Sequence, residues 1–565
     1  MLSFALNHYF FGDSVWWLKF VNLMIHCLNG VGVFVLIRQL VRLNPPSSNP
    51  HQPDNTLNLL PLVVTSLWLV SPINLIPVLY VSQRMALLSS FFMIYGLLTY
   101  IWLRCNLSSL TRRVVYIPLA LFGFTLLGFK CKENAALLPG FIFLVELCIL
   151  KFRSKGKVDK WIVLLFSTGF ILLIGLALYQ FSERPDWMTA GYRGRNFTLE
   201  ERVLTQFRAL IFYLSQIIFP SNSSLSLWHD DFVISTGFLQ PISTLGSFIL
   251  LIVLLALAVC LIPKLPLVAL GILWFFVSHS IESTVWPLEL VHEHRNYLAS
   301  FGVLLAIGSL FLWVFQKREK TVIAVFLVIF CFFSFIVNER AKIWSDPIVH
   351  AHHEAKVRPN SGAALFQLGQ HYYVEAMNGV PGVEKKAEAL LEQSALNDQY
   401  NVVADLLLVV LSEHQNVEYQ GKWLIKAAEK LKKYPFMNPS KAAIQGFYRC
   451  LKMDICHPPE EDLERFFRTL YKLKDKNNLN TVGLYYSQIS PNPERSEKAF
   501  KRALSRKDVA SWVNYLSALL HQEKKDKACS EYARFSRLLE ENTFKNTVLY
   551  VAEISLLKNK LGSCL

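Results

Sequence analysis

The sequence predicts an all-α protein in two parts. A polytopic membrane helical bundle covers residues 1–339, and a water-soluble helical repeat domain covers residues 340–565. Three observations carry this: long apolar runs confined to the first part, basic loops at every second connection between those runs, and paired helix-length segments in the second part. Of the 565 residues, 53% are hydrophobic and only 18% are charged. An ordinary globular domain carries roughly 25% charged residues.

Apolar runs lie near 15–41, 57–80, 86–104, 114–129, 133–150, 160–181, 240–262, 264–281, 298–315 and 321–338. A hydrocarbon layer of about 30 Å takes roughly 20 apolar residues per helix. A helix is the natural way across, because it satisfies every backbone N–H and C=O internally. The expectation is therefore about ten crossings.

The net charge of +15 does not point to nucleic acid. Nucleic-acid binders carry a basic stripe with stacking aromatics, and the soluble part shows neither. Many of the cations instead sit in short loops: Arg38 with Arg42, Arg104 with Arg112 and Arg113, Lys151 through Lys160, Lys264, and Lys317 with Arg318 and Lys320. Loops of that kind stay on the cytoplasmic side. The intervening segments 81–85, 130–133, 182–239 and 282–297 then face the other side. Counting 201–219 as a crossing breaks the alternation, so its charged first turns make it an interfacial or re-entrant helix. Both the N-terminus and the domain after residue 338 then emerge on the non-cytoplasmic side.

From residue 360 onward, segments 361–378 and 383–397, then 399–414 and 418–433, pair across short turns, with further segments near 495–505, 508–521 and 524–538. A pair period in this range is the signature of tetratricopeptide-type solenoids, which present a concave groove to peptides or proteins. The middle of the domain is degenerate. Cysteines in the apolar runs, such as Cys27, Cys148, Cys260 and Cys331, read as small buried hydrophobes. Cys450 and Cys456 stay open between free thiols and a disulfide formed in an oxidising compartment. His350, His352 and His353 read as a solvated helix face rather than a metal site.

Several segments together resemble a family. They are LSFALNHYFFG (2–12), VNLMIHCLNG (21–30), SPINLIPVLYVSQRM (71–85), FKCKENAALLP (129–139), RVLTQFRALIFYLSQIIFPSNSSLSLWHDD (202–231) and HSIESTVWPLELVHEHRNYLAS (279–300). In order and content they resemble bacterial tetratricopeptide-containing relatives of the protein O-mannosyltransferases. These belong to the GT-C class of polyprenyl-phosphate-sugar-dependent glycosyltransferases. The resemblance implies a multi-pass fold with its active site at the non-cytoplasmic face, a polyprenyl-phosphate-linked sugar donor, and transfer by inversion. It also implies a protein acceptor recruited by the repeat domain. The implied location is a bacterial inner membrane with the C-terminal domain in the periplasm, the endoplasmic reticulum membrane being the alternative. Family members open with one more helix and an acidic loop that supplies the catalytic base, and this sequence starts after that point. The catalytic base is accordingly unassigned, with Asp13, Asp230 and Asp231 as candidates.

A lipid-linked phosphate needs fixed cations, and the planar fork of Arg suits it. Arg295, within His294-Arg295-Asn296-Tyr297 at the mouth of a helix, is the first candidate. Glu282 and Glu289 flank the same loop, so a salt bridge to Arg295 is the plain alternative. Arg84 and the pair Lys132-Glu133 occupy other outer turns and complete the donor-site set. No cofactor is expected. His229 with Asp230 and Asp231 leaves a divalent metal open, but a third spaced ligand is missing. Two other functions fit the same pattern: a non-catalytic membrane scaffold assembling envelope proteins, and a lipid-linked glycan ligase or polymerase.

The alternation of loops sets the first test. Reporter fusions after Lys157 and after Lys320 are expected to report cytoplasm, and a fusion at residue 400 the opposite compartment. A cytoplasmic signal at residue 400 overturns the topology and the placement of the site with it.

Overall fold

The structure, a computed structural model, describes residues 2–44, 55–154, 156–316, 318–414, 422–473, 478–504, 508–541, 543–544 and 547–561. These are almost wholly helical, with 25 α-helices and one short hairpin, Arg153–Ser154 against Lys157–Val158. The chain divides into two compact units, one of residues 1–192 and 197–358, the other chiefly residues 359–565.

In the first unit, eight of the apolar runs fold as helices long and apolar enough to cross a membrane, from Val15–Leu43 to Glu319–Ile343. The other two differ from this pattern. The run at 57–80 breaks into Leu57–Leu69 and Pro72–Leu79, bent by 51°. Pro72 lacks an N–H and biases Ser71 away from the helical region. Asn74 Nδ2 then donates to the freed Trp68 carbonyl at 2.9 Å. The run at 264–281 holds only the shorter helix Pro266–His279. It lies so close to Glu293–Val314 that a Cβ on Gly271 or Gly302 meets the other glycine's carbonyl. Only glycine fits that crossing.

Leu199–Ile218 is a full helix, opened by a capping box in which Thr198 and Glu201 satisfy each other's backbone N–H. It is not among the candidate spans. It buries Arg202, Thr205, Gln206 and Gln216, polar groups that need protein partners rather than lipid.

Arg340 does not open a new domain. It lies inside Glu319–Ile343, 3% exposed, and Pro347–Val357 still belongs to the first unit. Pro347–Val357 is held to the first unit by Glu354, which accepts from Ser226 and Leu227, and the following Arg358 lies against His229 and Asp231. The cysteines Cys27, Cys260 and Cys331 are exposed on helix surfaces rather than buried, and Cys148 alone of those four is buried. On an apolar span an outward thiol needs no burial.

In the second unit the helices pack locally. Gly362–Met377 lies on Glu384–Asn397, which lies on Val403–His414, and so on to Val551–Leu561, each helix packing on its neighbour or on the next but one. Gly362 sits where an added Cβ meets Asp398, and its carbonyl accepts from Ser394 Oγ at 2.7 Å. The degenerate middle folds as Asn438–Lys452, Glu460–Lys472 and Leu479–Gln488. Cys450 and Cys456 are joined in a disulfide, and Cys529 is disulfide-bonded as well.

The second unit buries its own clusters of apolar side chains, from Ala376 to Ala499 and from Phe500 to Leu561. Residues 359–565 expressed alone in an oxidising compartment are therefore expected to be soluble, monomeric and strongly helical by circular dichroism. Aggregation or a strand signal contradicts this.

Candidate functional site

The site forms where irregular backbone joins two helices, Pro266–His279 and Asn296–Val314. The connecting loop has little regular structure of its own and is held from outside by Leu199–Ile218. Arg202, fully buried, donates to the carbonyls of Glu282 at 2.7 Å, Thr284 at 3.0 Å, Glu289 at 3.2 Å and Leu288. One turn on, Gln206 Nε2 reaches the Leu290 carbonyl at 2.9 Å. Two turns further on, the Tyr213 hydroxyl accepts from His292 N at 2.7 Å. One helix face thus satisfies a loop that has no ladder of its own.

Glu282, 5% exposed, projects from this loop to Lys132 on a neighbouring turn, with Oε1 2.6 Å from Nζ. Burial works against its charge, yet Lys132 first and then Arg295 outweigh it and hold the carboxyl below its ordinary range. Beside it, burial and then Arg295 push the His292 imidazole down to about 4, so it is neutral at physiological pH.

Arg295 closes the short turn Glu293–Arg295 and is 6% exposed. The alternative pairing with Glu282 is not what forms. Glu282 goes to Lys132, and no carboxylate lies within 4 Å of Arg295 among the described residues. Its Nη1 donates to the Leu290 carbonyl at 3.2 Å, and its Nε has no hydrogen-bond partner among the described residues. Together with Lys132, Asn134, His294, Tyr297 and Ser90, Arg295 lines a cavity of about 20 Å³. That is room for about one water.

The structure therefore brings Lys132, Glu282, His294, Arg295 and Tyr297 together. Asn296 is buried behind them and donates to the Glu293 carbonyl at 3.2 Å. Tyr297 turns its hydroxyl inward, to His26 Nδ1 at 2.7 Å and Asn29 Nδ2 at 3.1 Å. Glu133 is exposed and does not pair with Lys132, which reaches Glu282 instead.

Arg84 is not on the cavity. It is fully buried and donates to Asn22 Oδ1 at 2.7 Å, Asn7 Oδ1 at 3.0 Å, Ser3 O at 3.0 Å and Leu18 O at 2.9 Å. Its charge is spread over neutral acceptors of the N-terminal segment, which makes it an anchor for that segment. Asp13 is exposed beside His8 at 2.7 Å, and Asp230 is exposed. Asp231 lies 3.8 Å from Arg358.

Sequence reasoning missed a second buried network behind the Glu293–Arg295 turn. Glu293 is 1% exposed; its Oε2 accepts from Arg340 Nη1 and Nη2, both at 3.3 Å, and its Oε1 accepts from Ser226 N. Glu354 accepts from Ser226 Oγ and from Leu227 N at 3.0 Å, and burial pushes its carboxyl up. His350 is not on a solvated face. It is 5% exposed, 3.5 Å from Glu354 and packed on Trp344. Among the described residues no group of three or more His, Cys, Asp or Glu is placed to hold a metal ion.

No family model matches the chain, and no curated protein or solved structure is detectably similar to it.

Arg202→Met keeps the bulk of the side chain but strips several loop carbonyls of their donor. It is expected to cost about 3 kcal/mol or more, because buried acceptors left unpaired carry their full desolvation penalty. Thermal unfolding of the full chain in detergent reads this, and an unchanged Tm contradicts the clamp.

Proposed function

We propose that the chain is a membrane glycosyltransferase that moves a sugar from a polyprenyl-phosphate carrier to a hydroxyl of an exported protein. The observation that carries this reading is Arg295. Among the described residues it is a buried guanidinium on a cavity wall with no ion pair within 4 Å and an unengaged Nε, next to Lys132 and His294. Arg84 and Arg202, equally buried, each spread their donors over four acceptors. A buried cation without a counter-ion in contact is costly and is relieved by an anion. A phosphate at the end of a helix bundle is such an anion, and the bidentate fork of Arg suits it.

In this reading Arg295 and Lys132 hold the donor phosphate and stabilise the charge that develops as the carrier leaves. Glu282 is not the base, since a carboxylate held below its ordinary range accepts a proton poorly. Its part is to fix Lys132. The first unit spans the membrane, with this site facing the non-cytoplasmic side. Two independent patterns favour that orientation. The basic loops lie at the opposite helix ends. The described cysteines of the first unit are free, whereas those of the second are disulfide-bonded, which suits an oxidising compartment. The second unit, read as a tetratricopeptide-like solenoid, recruits the acceptor.

One observation favours a second reading, a non-catalytic scaffold. A cavity of about 20 Å³ takes a water and not a sugar phosphate, so the transferase reading requires the loop to open.

The test is transfer per unit of folded protein in detergent, with a polyprenyl-phosphate-sugar donor. Arg295→Ala is expected to lose about 100-fold or more, as when a preorganised donor to developing charge is removed. Arg295→Lys recovers part, since a point charge keeps the attraction and loses the fork. Unchanged specific activity in Arg295→Ala sinks the donor-site assignment, and the absence of transfer by the parent chain favours the scaffold.

A further inference from the structure

The opposite end of the first unit carries a different arrangement of charge. Apart from Glu133 at the far end of its helix, the acids between residues 101 and 165 are Glu146 and Asp159. Both are consumed inside. Glu146, with its side chain 0% exposed, accepts from Arg104 Nε at 2.8 Å and from the Tyr100 hydroxyl at 2.5 Å. Asp159 lies 3.1 Å from Arg104 and 2.8 Å from Arg113. The same two arginines hold the hairpin, through Arg104 Nη2 to the Arg153 carbonyl at 3.2 Å and Arg113 Nη2 to Ser154 Oγ at 3.4 Å.

The chain enters that hairpin through left-handed Lys151 and Phe152, with φ of 54° and 53°. Two such residues in a row persist only where the surroundings fix them. Here the Phe152 ring packs between Phe143 and Phe166, at 5.7 and 6.0 Å between centroids. The hairpin is thus a built platform. Arg112, Lys151, Arg153, Lys157 and Lys160 are exposed, and none has an acid partner among the described residues. Exposed Leu110 (61%) and Val158 (58%) lie among them.

We propose that this platform binds anionic phospholipid headgroups. The cations are spread over an open surface rather than gathered in a pocket, which fits a plane of phosphates better than one soluble anion. Apolar side chains between them suit the boundary between headgroups and acyl chains. The adjoining helices Leu110–Phe129 and Lys160–Glu183, almost unburied along their apolar lengths, leave their sides open to lipid and end at this platform. Clustered Lys and Arg beside a span attract acidic lipids additively. This inference stands independently of the glycosyltransferase reading.

The test uses the full chain in mixed micelles of neutral detergent, titrated with phosphatidylglycerol, with phosphatidylcholine, or with inorganic phosphate. The parent chain is expected to bind phosphatidylglycerol at least about tenfold more tightly than the variant K151Q/R153Q/K157Q/K160Q, and to lose that preference in high salt. The charge-keeping variant K151R/R153K/K157R/K160R retains it. Equal binding of both phospholipids by the parent chain overturns the proposal. So does undiminished phosphatidylglycerol binding by the Gln variant, or competition by millimolar inorganic phosphate, which marks a soluble-anion site. If the Gln variant fails to fold, the salt titration of the parent chain decides, and a salt-insensitive preference overturns the proposal.

Discussion

The ion pair between Lys132 and Glu282 is the contact on which the candidate site depends. It joins a tight turn between two helices to a loop with little regular structure, at 2.6 Å and with both side chains nearly buried. Charge at the end of an apolar bundle is tolerated when it is paired. Once Lys132 takes Glu282, the nearby guanidinium of Arg295 is left without a carboxylate of its own. The depressed pKa of Glu282 makes this contribution present at neutral pH. It is lost as the pH falls through the folded pKa, because the unfolded chain then binds the proton more readily.

The two ends of the first unit use buried arginine in opposite ways. At the Arg295 end, Arg202 organises a loop by binding its carbonyls, and Arg340, through Glu293, ties the Glu293–Arg295 turn to the helix Glu319–Ile343. Both serve to present a third arginine. At the hairpin end, Arg104 and Arg113 absorb both acids and leave the outer cations uncompensated. In each case a buried network of full pairs defines which neighbouring charges stay free. Buried pairs are weak sources of net stability, and their value here is in fixing position.

Apolar runs and basic loops made the helical character and most helix positions readable, since twenty apolar residues leave few alternatives to a helix. The break at Pro72 and the brevity of Pro266–His279 were harder to read. The break at 71–72 arises from a local proline, and the close packing of Pro266–His279 on its neighbour arises from a glycine crossing, Gly271 on Gly302, between distant parts of the chain. In the site, Arg295 and Lys132 were legible because cations in outer turns are conspicuous. Their partners were not. Glu282 was expected on Arg295 because sequence proximity favoured it, whereas the turn carrying Lys132 lies far away in sequence. Arg202 shows why the rest was hidden. Its role is to bind backbone carbonyls, which leave no mark on residue type at the receiving end. A signal was nonetheless present, because Arg202, Gln206 and Tyr213 recur on one face of the helix.

The account rests on the claim that Glu282 belongs to Lys132 and that this pairing leaves Arg295 available. A double-mutant cycle on the full chain in detergent, with Lys132→Met, Glu282→Gln and the pair together, measures that contact by its effect on unfolding free energy. Residues in direct contact couple by about 0.5–3 kcal/mol, and a nearly buried pair at this distance is expected in the upper half of that range. A coupling energy indistinguishable from zero would show that the two side chains act independently, and would contradict the account.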